Sequence, residues 1–203
     1  SYRLALDGIA LIVNKNNPDT LITVDQFRQI LIGKATKWSD VYPKSSLGKI
    51  TLVFDNPNSS TVRYAIDSIC GGLPLSDQLS AQEKNIEVLN YVARTPSAIG
   101  VIGVNWLSSK VDTTNLSFND IVRVMSVSNE TVATEENSYK PYQAYLFYGY
   151  YPLTRNVYII NNDPRTSLPS GFTSFMTSDK GQRIILKSGL VPVTQPIRVV
   201  NVK

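Results

Sequence analysis

Histidine is absent from the 203 residues, and cysteine occurs once, at Cys70. Without an imidazole, neither a Ser-His-Asp nor a Cys-His nucleophilic system can be assembled within the chain. Histidine-ligated zinc and iron are excluded for the same reason. One thiol closes no internal disulfide and builds no thiolate metal cluster. No cofactor or metal is therefore expected. No apolar run approaches the roughly 18 residues of a membrane span. Residues 3–6 are already strand-like and show no secretory-signal pattern, so any export signal is expected to have been removed or to lie outside this sequence. Excess charge is also scarce: 20 basic residues against 16 acidic ones give +4. That leans toward anionic ligands but falls well short of a nucleic-acid-binding surface, so no nucleic-acid partner is expected.

What is present is ordinary for a globular protein: 42% apolar and 18% charged residues. The length suits one large domain or two small lobes. Residues 4–14 read as a nearly continuous buried strand, interrupted by Gly8. Thr23 with Gln26 three residues on forms a capping-box signature for a helix that Gly33 stops. Residues 50–54 form a short strand. A polar loop, Asp55-Asn56-Pro57-Asn58-Ser59-Ser60-Thr61, leads from it into a helix that should run to Gly71-Gly72. Strand, polar loop and helix start in that order favour an anion site.

Ser80 and Glu83 predict a second capping box, for a helix with Ile86, Leu89, Val92 and Ala93 on its inner face. Residues 98–104 form another buried strand. Alternating helices and buried strands imply an α/β layered lobe. Residues 108–140 are polar, with one strand-like stretch at 121–125, and read as an insertion or hairpin region. Seven aromatics then fall within residues 139–151. They read as a packing surface between elements or as a stacking platform for sugars or bases, and no basic stripe accompanies them. A strand at 156–161 and two helices follow, the second capped by Ser178 and closed by Gly189.

Several stretches, in order, carry a resemblance. They are Leu6-Asp7-Gly8-Ile9-Ala10-Leu11-Ile12-Val13-Asn14, Gln29-Ile30-Leu31-Ile32-Gly33 with Trp38-Ser39-Asp40, and Asn56-Pro57-Asn58-Ser59-Ser60-Thr61. Further on come residues 93–103, Tyr151-Pro152-Leu153-Thr154-Arg155, and Gly181-Gln182 with Gly189-Leu190-Val191-Pro192. Together they resemble the PstS-like phosphate-binding proteins of ABC importers. The resemblance implies an α/β chain of the type II periplasmic-binding-protein fold, with one complete three-layer lobe and the C-terminal part of a second. Residues 7–149 would form lobe two, with a variable region at about 108–140. Residues 150–203 would be the returning crossover strand and C-terminal helices of lobe one, whose N-terminal portion would be missing from this sequence. That incomplete half-lobe would pack in an altered pose, be complemented by a partner, or pair with a second copy as a homodimer.

The resemblance also implies ligands. A Ser-Gly-Thr turn at a helix start holds phosphate in the family, and Ser59, Ser60 and Thr61 stand at the matching positions, with serine in place of glycine. The family's clamp arginine, four residues before the first serine, is here Asp55, which repels a dianion unless it points away or accepts from a protonated oxygen. Arg63, in the first helical turn, is a candidate substitute. Asp7, Gly8 and Arg155 lie on the two crossover strands, with Gly8 read as a hinge or a strand bend and Arg155 as facing the cleft or solvent. The local alternative for Ser59, Ser60 and Thr61 is a plain helix cap.

The function implied is non-enzymatic: an extracytoplasmic or periplasmic solute-binding protein, with a lipid anchor an option in a full-length form. Its ligand would be phosphate or a similar oxyanion, and its partner an ABC permease. The alternative is a sensory or interaction module on the same fold that has lost tight ligand capture. A hydrolase using Ser59 or Ser60 with a lysine base finds no supporting Ser-x-x-Lys pairing.

Overall fold

The computed structural model describes residues 1–77, 79–107, 118, 120–162 and 167–194. The chain opens with β1 (Tyr2–Asn14) and continues through β2 (Leu21–Thr23), α1 (Val24–Leu31), α2 (Trp38–Val41) and β3 (Thr51–Phe54). Helix α3 (Ser60–Tyr64) runs on into a π-helical turn, Ala65–Ile69. Then come β4 (Leu79–Ala81), α4 (Asn85–Arg94) and β5 (Ala98–Gly103), which ends in a 3₁₀ turn at Val104–Trp106. The remainder comprises β6 (Val122–Val124), β7 (Ser126–Ser128), α5 (Gln143–Phe147), β8 (Thr154–Ile159), α6 (Leu168–Thr177), α7 (Asp179–Lys187) and β9 (Val191–Pro192).

β1 organises the molecule because it serves two sheets. Its second half pairs antiparallel with β5 and β6, and β5 in turn pairs parallel with β3 and β3 with β4. Its first half pairs with β8 and β9 instead. The changeover falls at Gly8 and Ile9, where the Ile9 N–H donates to the Leu153 carbonyl. The expected common sheet of residues 9–13, 50–54 and 99–104 is present in its essentials.

The period-2 geometry of a strand explains the layering. Ile9, Leu11 and Val13 enter one apolar cluster with Phe27, Leu31 and Trp38, whereas Ala10 and Ile12 enter a second with Val88, Leu89 and Val92. Alternate side chains point to opposite faces, so a strand buried on both sides must be apolar throughout, as this one is. Helices thus cover both faces of the larger sheet, which makes a three-layer α/β unit.

Thr23 caps α1 as expected. Its hydroxyl accepts from the Gln26 N–H, and the Gln26 side chain accepts from the Thr23 N–H. Thr23→Ala is expected to lower stability by about 1 kcal/mol, read as a shift in the urea midpoint at an unchanged m-value. Ser178 caps α7 as expected, accepting from the Gly181 N–H.

One expectation fails. Ser80 and Glu83 do not cap a helix: Ser80 lies within β4, whose pairing with β3 captures it, and α4 begins at Asn85. The buried stripe of α4 is Val88, Leu89 and Val92, and Ile86 stays 48% exposed. The region read as an insertion or hairpin, residues 108–140, is described only in part. Residues 108–117 and 119 lie outside the described residues, but β6 joins the main sheet through β1, and β7 pairs parallel with β2.

The aromatic segment divides. Tyr151 is fully buried and its hydroxyl donates to the Ile9 carbonyl at 2.6 Å, and Leu146 fills the space beside Gly8. Phe147, Tyr148 and Tyr150 remain exposed.

Candidate functional site

β3 and β5 run parallel as neighbours, so their carboxyl ends open on the same side of the sheet. In open α/β sheets that edge is where ligands gather. Asp55 follows β3, and Asn105 and Trp106 follow β5. Together with Asp7, Ser60, Thr61 and Arg155 they line a polar cavity of about 270 Å³.

The loop after β3 is shaped by its own side chains. The Asn56 side-chain oxygen accepts from the Asn58 N–H, and the Asn56 carbonyl accepts from the Ser59 N–H. Ser59 is the N-cap of α3, its hydroxyl accepting from the Val62 N–H at 3.2 Å. Ser60 and Thr61 then open the helix. Thr61 is buried and Ser60 exposed, and both line the cavity.

The cation comes from elsewhere in the chain. Arg155 on β8 lies directly opposite Asp7 on β1 in the antiparallel register. Its Nε and Nη2 donate to the Asp7 Oδ2 at 2.9 and 2.7 Å. Its remaining nitrogen, Nη1, donates to the Ser60 hydroxyl at 2.9 Å. One guanidinium therefore ties both strands to the start of α3. Gly103 leaves room for the Asn105 side chain at the cavity wall, since a Cβ there would stand 2.7 Å from the Asn105 Oδ1.

The electrostatics follow from burial. Asp7 is 3% exposed, and desolvation pushes its carboxyl above the ordinary value. The Arg155 charge and hydrogen bond, and the nearby N–H groups of Gly8 and Val104, oppose that rise. Burial also pushes the Tyr64 hydroxyl, beside Arg155, up to about 12, so it stays protonated as a neutral neighbour. Asp55 accepts from the Asn85 side chain at 3.3 Å, while its other oxygen is buried without a hydrogen-bond partner.

The structure thus brings together Asp7, Ser60, Thr61 and Arg155, with Ser59 as the cap beside them. It does not bring in Arg63, which pairs on the surface with Asp67 at 2.8 Å and does not line the cavity. Gly8 faces away from the cavity, toward Leu146 and Pro141: a Cβ at Gly8 would lie 2.9 Å from the Leu146 Cδ2. The sequence reading missed Asn85, Asn105 and Trp106. The rule that ligands sit beyond the carboxyl ends of parallel strands would have pointed to the last two. Among the described residues no group of three His, Cys, Asp or Glu could hold a metal ion, and no helix is long and apolar enough to cross a membrane.

Comparison with known proteins agrees with this architecture. Residues 1–180 match the PBP superfamily domain, and the chain belongs to that superfamily. It is similar to the phosphate-binding protein PstS of Staphylococcus saprophyticus, at 26% identity over 186 residues, covering 89% of this chain and 54% of that protein. It is also similar to the PstS of Bacillus subtilis, at 26% identity over 198 residues, covering 95% and 57%. The chain thus spans little more than half the length of these relatives. A Clostridium perfringens structure with bound phosphate, described as a phosphate ABC transporter substrate-binding protein, superposes with a TM-score of 0.69 and 25% identity, covering 95% of this chain and 71% of that one. An ABC-type phosphate transport receptor from Vibrio cholerae shares the fold, with a TM-score of 0.69 and coverage of 94% and 71%.

Proposed function

We infer that this chain is the ligand-binding part of an extracytoplasmic solute-binding protein that takes phosphate or a similar oxyanion and presents it to an ABC permease. One observation carries the reading. Arg155 is held by two bonds to Asp7, and its third nitrogen points at Ser60, at the first turn of α3 and inside a polar cavity. An anion reaching that turn meets a fixed guanidinium, two hydroxyls and backbone N–H groups that have no intrahelical partner. Asp7 then acts as a positioning residue, because it spends two guanidinium nitrogens and leaves the third to the ligand. The names of the relatives support the choice of phosphate. Binding here requires no bond to be made or broken.

The test is a titration of the chain with inorganic phosphate, followed by amide NMR. Resonances of residues 56–64 and of Arg155 are expected to move, with a Kd on the order of millimolar for this chain alone, about 4 kcal/mol. Ser60→Ala combined with Thr61→Ala is expected to remove the response while the protein stays folded. A second reading, an interaction module that no longer captures a ligand, draws on Asp55, whose charge opposes a dianion. Absence of any shift at tens of millimolar phosphate would favour it.

A further inference from the structure

The anion cavity carries a second charge that bare phosphate does not use. Asp55, at the end of β3, lines the same cavity as Ser60 and Arg155. No cation pairs with it: the Arg155 guanidinium is taken up by Asp7 and Ser60, and Arg63 turns to Asp67. Asp55 enters from β3 and Arg155 from β8, strands that β5 and β1 separate in the sheet order. The Asp55 Oδ2 accepts one long bond, 3.3 Å, from the Asn85 side chain, and its Oδ1 is buried with no hydrogen-bond partner. A carboxylate has acceptor sites for about four hydrogen bonds, so Asp55 is left well short of its capacity. An unpaired carboxylate in such a place is costly by itself and favours a cationic donor.

The residues that share this wall suit a cation. Asn85 opens α4 and Asn105 follows β5, and each brings a neutral amide to the cavity. Trp106, in the 3₁₀ turn after β5, also lines it and is 48% exposed. The face of an indole attracts an ammonium group more strongly than any other side-chain ring does. Size points the same way. A water takes up about 30 Å³ of liquid, so a cavity of about 270 Å³ holds more than the few heavy atoms of one phosphate.

We propose that the ligand of this cavity is a zwitterion: a small phosphonate or phosphate monoester that carries an ammonium group. Its oxyanion takes Arg155, Ser60 and Thr61, and its ammonium takes Asp55 beside the Trp106 ring. This rests on the oxyanion reading of the same site and adds the second charge to it. Asp55 then ceases to oppose the ligand and instead selects it, by pairing with the ammonium and repelling anions that lack one.

The experiment titrates the 203-residue chain with 2-aminoethylphosphonate, propylphosphonate and inorganic phosphate, each followed by phosphorus NMR. Propylphosphonate has the same length, with a methyl group in place of the ammonium. At about pH 9 both phosphonates are doubly ionised, while an amine that titrates near 10.4, as lysine does, keeps its proton. The aminophosphonate is expected to bind about tenfold or more tighter than propylphosphonate, the increment of one charge-assisted contact. Asp55→Asn, which keeps the shape of the side chain, is expected to erase that margin. It should also tighten propylphosphonate and phosphate by about threefold or more, because the repulsion is lifted. Equal affinities for the two phosphonates in the wild-type chain would overturn the proposal and leave the oxyanion site standing. So would a margin that survives in Asp55→Asn. If none of the three probes binds at tens of millimolar, the oxyanion reading itself fails and the zwitterion falls with it.

Discussion

Replacing Arg155 with methionine is expected to abolish the phosphate response and to destabilise the fold by about 3 kcal/mol at neutral pH. Two separate losses combine. The ligand loses a charge-assisted hydrogen bond and the positive charge at the cavity, about 2–3 kcal/mol, or on the order of a hundredfold in Kd. The protein loses the partner of a carboxylate that is almost wholly buried. An unpaired buried charge costs more than the pair contributes, which is why removing one member is the damaging change.

The pH dependence has a definite sign. Burial already raises the Asp7 carboxyl in the folded protein. In the window between its unfolded and folded values the native state therefore binds the extra proton, and stability rises as pH falls through the folded value. Without Arg155 the opposing charge is gone, the folded value climbs further, and the penalty should be relieved at a higher pH than any such effect in the wild type. Urea unfolding of both proteins at pH 7 and near pH 4 measures this, and the difference between them should shrink on acidification. Asp7→Asn in the Arg155→Met background should recover most of the lost stability and none of the binding. Wild-type stability at pH 7 in Arg155→Met would show that the pair is solvated rather than structural.

Gly100→Val is expected to prevent folding or to cost about 4 kcal/mol or more. Gly100 sits in the middle of β5, opposite Ile12 of β1 and beneath α4. A Cβ there would lie 2.7 Å from Ile12 Cγ1, 2.8 Å from Val92 Cγ2 and 2.9 Å from Val88 Cγ1. All three neighbours are buried β-branched residues with little rotamer freedom, so strand and helix would have to separate. Gly100→Ala should cost about 1–3 kcal/mol, the usual range for overpacking. Trimming the helix side with Val88→Ala should restore part of it. Gly171 in α6 provides the control, because nothing stands within 4 Å of a Cβ there. Gly171→Ala should be neutral or stabilising by up to about 1 kcal/mol. Denaturation midpoints rank the four variants, and a Gly100→Val protein as stable as the wild type would contradict the packing argument.

Much of the fold was legible in the chain because its signals are local. The unbroken apolar run of residues 9–13 meant a strand buried on both faces, and its side chains do divide between two clusters. Thr23, Ser59 and Ser178 cap helices because a hydroxyl reaches an N–H three residues away, a distance written directly in the sequence. The absence of histidine settled which chemistries could not be built. Where local signals competed, they misled: Ser80 and Glu83 have capping-box spacing, but pairing with β3 claims Ser80 for a strand.

The charge of the site was decided only by tertiary structure. Arg63 has the right position in sequence, yet the α3 geometry turns it toward Asp67. Arg155 is 148 residues from Asp7 and 95 from Ser60, and it reaches both because the register of β8 on β1 sets it opposite Asp7. Register between distant strands depends on the burial of whole faces and on the loops that return the chain, and a one-residue slip would turn Arg155 to the other side of the sheet. A composition of hydroxyls and guanidinium groups made an oxyanion site conceivable. Only the antiparallel pairing of two distant strands selected which guanidinium lines the polar cavity.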